Sequence, residues 1–220
     1  TVLLDVVFQY QDRAVTTREE LLNLPYSSDF DKEQEVFSTM LAAGFTDDFS
    51  SHRSPLASEQ IYPFFHQQIP TFETLGEVTL SDSLLDLYQV ERPKIDVKTN
   101  GSLLEIGFDF ESIDPAEVDQ VLKALVEQED YFVSHTGKVL VFDEETKKIS
   151  RALADLRAKM KKGGKLQTRR IAAYQLSDLL ADQENVHFSE EFRNLAHDLT
   201  HPEAYQLPQL AIQATLMDYQ

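Results

Sequence analysis

His197 and His201 stand four residues apart, the spacing at which two imidazoles on one helix face share a metal ion. A zincin also needs a Glu as its base, but here the intervening residues are Asp198, Leu199 and Thr200, and Pro202 follows at once. A His near a helix C-terminus is favoured by the macrodipole in any case. The expectation is no metal site, and a metal-dependent hydrolase using this pair is the least supported reading.

A second constellation is Arg157, Lys159, Lys161, Lys162, Lys165, Arg169 and Arg170, seven cations within fourteen residues and no acid among them. The whole chain has 20 Lys and Arg against 38 Asp and Glu, a net charge of −18, so this run reverses the sign locally. Such a cluster suits salt-dependent contact with a phosphate backbone. It also suits the last turn of a helix followed by a solvated loop. No aromatic residue interleaves the cations, so backbone contact is better supported than stacking on unpaired bases. Elsewhere the acidic surface repels phosphate backbones and anionic membranes.

Chemistry that needs a motif finds none. There is no G-x-x-x-x-G-K-[ST] loop, no G-x-G-x-x-G, no H-E-x-x-H and no G-x-S-x-G, and the chain holds only seven Gly. Catalytic residues are therefore expected to be absent. The lack of Cys removes disulfides, thiolate zinc sites and cysteine nucleophiles together. Asp47-Asp48, Glu127 to Asp130 and Asp143 to Glu145 lack the order of a calcium loop and read as solvated surface. Tyr131 and Phe132, ahead of His135-Thr136-Gly137-Lys138, read as strand aromatics of the core rather than a ligand-binding turn.

The elements that position these residues follow from periodicity. Hydrophobic residues make up 42% and charged residues 26%, an ordinary globular balance, and 220 residues suffice for one large or two small domains. No apolar run approaches the roughly 20 residues of a membrane helix. Val2 to Tyr10 reads as a strand, Asp31 to Ala43 as a helix closed by Gly44, Ser58 to Gln68 as a second helix, and Glu77 to Leu80 as a short strand. Ile95 and Val97, an Asn100-Gly101 turn of type I′, and Leu104, Ile106, Phe108 and Phe110 make a hairpin with one apolar face. Asp114, Pro115 and Glu117 start a helix whose stripe of Val118, Val121, Leu122, Leu125 and Val126 covers that hairpin.

Tyr131 to Ser134 and Lys138 to Phe142 form a second strand pair across Thr136-Gly137. A long helix is expected from Glu144 to Met160, with Ile149, Leu153, Leu156 and Met160 inward and a flexible Gly163-Gly164 end. Helices over Arg169 to Ala181 and over Glu190 to Leu199, the latter capped by Ser189, complete an α+β fold with a helical C-terminal third. From Tyr205 a further apolar helical pattern runs through Leu210, Ile212, Leu216 and Tyr219 to the last residue without a cap, as a truncated element would. The first residue, Thr rather than Met, suits an excised piece. A boundary between two subdomains is expected near residue 90.

In their order, several segments resemble the accessory region upstream of the motor in bacterial Swi/Snf-type helicases. They are Asp-Lys-Glu-Gln-Glu-Val (31 to 36), Ala-Gly-Phe (43 to 45), Ile-Pro (69 to 70), Glu-Val-Thr-Leu-Ser (77 to 81), Gly-Ser-Leu-Leu-Glu-Ile-Gly-Phe-Asp (101 to 109), Asp-Tyr-Phe-Val (130 to 133) and Gly-Lys-Val-Leu (137 to 140). Leu207-Pro208 and then Leu216-Met217-Asp218-Tyr219-Gln220 resemble the entry to the motor, with Met217 where that segment carries Arg. The resemblance implies an accessory region over 1 to 204 and the start of the motor over 205 to 220. It also implies that Gln220 belongs to an adenine-recognition motif, incomplete without the loop that follows it. No cofactor is expected in this chain, and ATP and Mg belong to the parent's motor. The implied partners are that motor domain and double-stranded DNA, with no membrane, in the bacterial cytoplasm or on the nucleoid. The implied role is a non-catalytic accessory or regulatory region of an ATP-dependent DNA translocase. The alternative is an autonomous nucleic-acid-binding domain acting through the basic turn.

Overall fold

The computed structural model describes residues 1–201. The fold is α+β, and its contacts divide it into two units, Thr1–Glu91 with Glu129–Asp143, and Arg92–Gln128 with the chain from Glu144 onward. The tail pattern from Tyr205 and the motif at Gln220 lie outside the described residues.

The first unit opens with β1 (Val2–Asp5), β2 (Phe8–Tyr10) and β3 (Arg13–Val15), followed by α1 (Arg18–Leu22), α2 (Phe30–Ala42) and β4 (Ser50–Arg53). The single strand expected over Val2 to Tyr10 is two. Between them Val6 donates its amide to the Phe49 carbonyl at 2.7 Å, so β1 pairs with β4 while β2 turns back onto β3. Helix α2 closes at Gly44, whose φ of +86° is open to glycine without a steric cost. Phe8, Phe37 and Phe49 meet edge to face in the core, with centroids 5.5 to 5.8 Å apart.

Helix α3 (Ser58–Pro63) continues through one π-helical turn, Phe64–Gln68, into α4 (Ile69–Leu75), so the expected helix extends seven residues further. The strand expected over 77 to 80 is not formed. Val78 and Leu80 instead pack onto the core from an irregular segment. Short α5 (Asp82–Leu85) and β5 (Tyr88–Glu91) end this stretch.

The second unit begins with β6 (Lys94–Asn100) and β7 (Leu103–Asp109), the hairpin that was most legible in the sequence. Its turn sits one residue later than expected. Asn100 pairs with Leu103, and of the two loop residues Gly101 and Ser102 only Gly101 has a positive φ, as in a type II′ turn rather than type I′. Helix α6 (Val118–Val126) starts later than the sequence signal, because Asp114 caps a turn through the Ala116 amide and Glu117 sits outside the regular helix.

The chain then returns to the first unit as β8 (Tyr131–Val133) and β9 (Val139–Phe142). There β9 runs antiparallel to β8 and parallel to β5. Tyr131 is a core aromatic, stacked on Tyr62 with centroids 4.4 Å apart.

The second unit resumes with α7 (Glu144–Asp155), β10 (Lys159–Lys161), β11 (Lys165–Arg169), a 3₁₀ turn over Arg170–Ala172, α8 (Ala173–Leu180), β12 (Val186–Phe188) and α9 (Glu190–Thr200). A sheet of order β10-β11-β7-β6-β12 forms, antiparallel except where β12 joins β6. One face carries Ile95, Val97, Leu104, Ile106, Phe108 and Leu166, all buried. Buried Val121, Leu122, Leu125, Ile149, Leu153, Leu176, Leu180 and Phe192 of the helices complete this core.

Serine 189 caps α9 by accepting from the Phe192 amide at 3.2 Å. Replacing Ser189 by Ala lowers unfolding free energy by about 1 kcal/mol, as chemical denaturation will read, since one buried-end amide loses its acceptor.

Candidate nucleic-acid interface

The long helix expected to reach Met160 stops at Asp155. Arg157 takes a left-handed φ of 56°, its amide bonds Ala154 O at 2.9 Å, and the Ala158 amide bonds Leu153 O at 3.0 Å. That is a Schellman terminus built without glycine. Met160, expected on the inner face of the helix, is 41% exposed on β10 instead. Five of the seven cations, from Lys159 to Arg169, therefore lie on a β-hairpin, with Arg157 before it at the helix terminus and Arg170 after it.

The helix expected from Arg169 is corrected likewise. Thr168 and Arg169 belong to β11, and helical backbone begins at Arg170.

Nor is the Gly163-Gly164 turn free to flex. Both glycines have positive φ, 80° and 69°. The Gly164 amide donates to Asp119 Oδ1 at 2.7 Å and its carbonyl accepts from the Phe108 amide at 2.8 Å, which ties the turn to α6 and β7.

Side chains alternate across a strand, and the register shows which cations share a face. Lys159 pairs with Gln167 and Lys161 with Lys165, so these residues and Arg169 stand on the open face, while Leu166 and Thr168 are buried on the other. Lys162 is exposed in the turn. Arg157 is exposed at the helix terminus, and the Arg170 guanidinium reaches the Gly101 carbonyl at 3.4 Å. Among the described residues Lys159, Lys161, Lys162 and Arg169 form no ion pair.

Setting Lys161 directly opposite Lys165 repels and costs some stability. Lysines on an edge strand also discourage pairing with other chains, which accounts for Lys159 and Lys161 but not for Lys162 or Arg169.

Sequence reasoning missed the centre of this face, Glu105. It is 5% exposed on β7, with Lys98 opposite on β6 and Gln167 opposite on β11. Its carboxylate accepts from Lys165 Nζ at 3.0 Å, Lys98 Nζ at 3.2 Å, Asn100 Nδ2 at 3.2 Å and Gln167 Nε2 at 3.4 Å. The sequence signal was misleading here, since a loop at Asn100-Gly101 would set Glu105 opposite Asp96, and only the observed loop at Gly101 and Ser102 brings Lys98 opposite it.

The Lys165 hydrogen bond above all, with Asn100 and Lys98 helping, lowers the Glu105 carboxyl from an ordinary 4.5 to about 2, against the opposing cost of burial. The ionised cluster thus contributes its full stability above pH 4.5 and loses it as pH falls through about 2. Because both lysines reach water, Glu105→Gln costs only about 1–2 kcal/mol at pH 7. The deficit shrinks toward zero in urea titrations repeated down to the lowest pH at which the chain stays folded.

The two histidines stand exposed at the C-terminal end of α9. His197 and His201 stack at 4.5 Å, and His201 Nδ1 lies 2.9 Å from Thr200 Oγ1 and 3.3 Å from the His197 carbonyl. Among the described residues no group of three or more His, Cys, Asp and Glu is placed to hold a metal ion. No helix among them is long and apolar enough to cross a membrane.

Charge divides unevenly between the units. Thr1–Glu91 with Glu129–Asp143 holds 19 Asp and Glu against 5 Lys and Arg, whereas the other unit holds 19 against 15.

The family described as bacterial SNF2 helicase associated matches residues 1–208, and the chain belongs to it. No curated protein and no solved structure matches the chain.

Proposed function

We propose that the chain is a non-catalytic accessory region of a bacterial Swi/Snf-type DNA translocase, and that its second unit holds the backbone of double-stranded DNA for the motor. One observation carries this reading: a lysine-rich strand pair on an open sheet face, with four of its cations unpaired among the described residues. In a chain of net charge −18, unpaired cations gathered on one rigid surface are where a polyanion finds attraction rather than repulsion. The strongly anionic first unit directs DNA away from itself by the same field. ATP and Mg would belong to the motor domain, the implied protein partner, in the bacterial cytoplasm. Family membership supports the accessory role.

Contacts to phosphate carry no base sequence. Duplexes of unrelated sequence and equal length will therefore bind with equal affinity, with Kd on the order of 10⁻⁴ to 10⁻⁶ M near physiological salt. A marked preference for one sequence in competition titrations would contradict the reading.

A further inference from the structure

Lys98 lies 61 residues before the first cation of the run's first strand, Lys159, and nothing in its sequence neighbourhood marks it, yet the fold brings it to the same face. Lys98 and Lys165 both touch Glu105 Oε1, at 3.2 and 3.0 Å, so the two ammonium groups lie no further apart than the sum of those distances. A phosphodiester, with two unesterified oxygens, spans such a gap. Each ammonium has three donors and gives one to the carboxylate, which leaves two for a second acceptor. Both side chains remain open to water, at 54% and 40% exposure. At the next ladder position, between Asp96 and Lys165, β7 carries Gly107, so no side chain stands there to cover the approach.

We propose that Lys98 and Lys165 form a seat for one backbone phosphate of duplex DNA on the open sheet face, and that Glu105 is the positioning residue that holds the two ammonium groups together. The inference rests on the DNA-holding reading and extends the contact from the hairpin across β7 to β6. Two long lysine stems on separate strands otherwise sample many rotamers, and a shared, nearly buried carboxylate removes most of that freedom before DNA arrives. Asn100 and Gln167 on Oε2 fix the carboxylate in turn.

The test uses the full chain and fluorescence anisotropy of a labelled duplex over a series of salt concentrations. Lys98→Gln is expected to weaken binding several-fold and to flatten the slope of log K against log salt by about 0.9, as loss of one phosphate contact does. Lys162→Gln in the hairpin turn should do the same, while Lys123→Gln, at an exposed position of α6, should change neither. In a Glu105→Gln background, the loss caused by Lys98→Gln should shrink, because the seat is already loosened. Thermal melts of each variant verify folding.

If Lys162→Gln weakens binding and Lys98→Gln does not, the seat is wrong and the hairpin reading stands. An equal Lys98 effect in both backgrounds removes Glu105 from the proposal. Absence of duplex binding by the native chain overturns both.

Discussion

Changing Lys159, Lys161, Lys162, Lys165 and Arg169 together to Ser will lower duplex affinity on the order of 10²- to 10⁴-fold near 0.1 M salt and flatten the salt slope by about 4 to 5. The size follows from counter-ion release, in which each lost phosphate contact removes close to one power of salt dependence. Four of the five side chains have no partner among the described residues, so their removal leaves packing untouched. Lys165 is the exception, because its loss deprives Glu105 of its strongest donor. The variant is therefore expected to fold with slightly lower stability, read by denaturation beside the binding titration. Stripping lysines from an edge strand also exposes β10 to strand addition, so light scattering should show more self-association than in the native chain.

The largest effect on stability is expected at Gly164. A Cβ built there lies 2.8 Å from the Phe108 carbonyl oxygen and 2.9 Å from Val118 Cγ2, and the backbone φ is +69°. Gly164→Ala thus combines a strained conformation with overpacking against a backbone atom that cannot swing aside, at a cost of about 2–4 kcal/mol. Gly163→Ala is the matched comparison. Its φ is +80° but nothing lies within 4 Å of the new methyl, so only the conformational cost applies, about 1 kcal/mol. Equal losses for the two variants in urea denaturation would mean that the turn is not clamped between β7 and α6.

The elements that were legible in the sequence are those whose signal is local. Ile95 to Phe110 alternates around a glycine turn, and α9 has its serine cap and its apolar spacing within one segment. β8 and β9 likewise pair across a short turn. The parallel pairings of β5 with β9 and of β12 with β6 depend on residues far apart in the chain, and nothing local encodes them.

The end of α7 was misread for a different reason. Leu156 and Met160 continue a helical period, and the stop comes from a left-handed Arg157 rather than from glycine. With all three residues of β10 on the exposed side, the strand carries no apolar alternation to announce itself. The cations of the candidate interface were readable as a run, but their shared face was not, since that depends on the hairpin they form. Glu105 fell out of view as one polar position in an apolar strand, although the hairpin register places it opposite Lys98.

The salt dependence of duplex binding by the native chain tests the central claim most directly. If the second unit holds a DNA backbone, log K will fall linearly with log salt, with a slope of about −4 to −6 for five or six phosphate contacts. No measurable binding at low salt, or binding that ignores salt, would contradict it and leave contact with the motor domain as the role of this region.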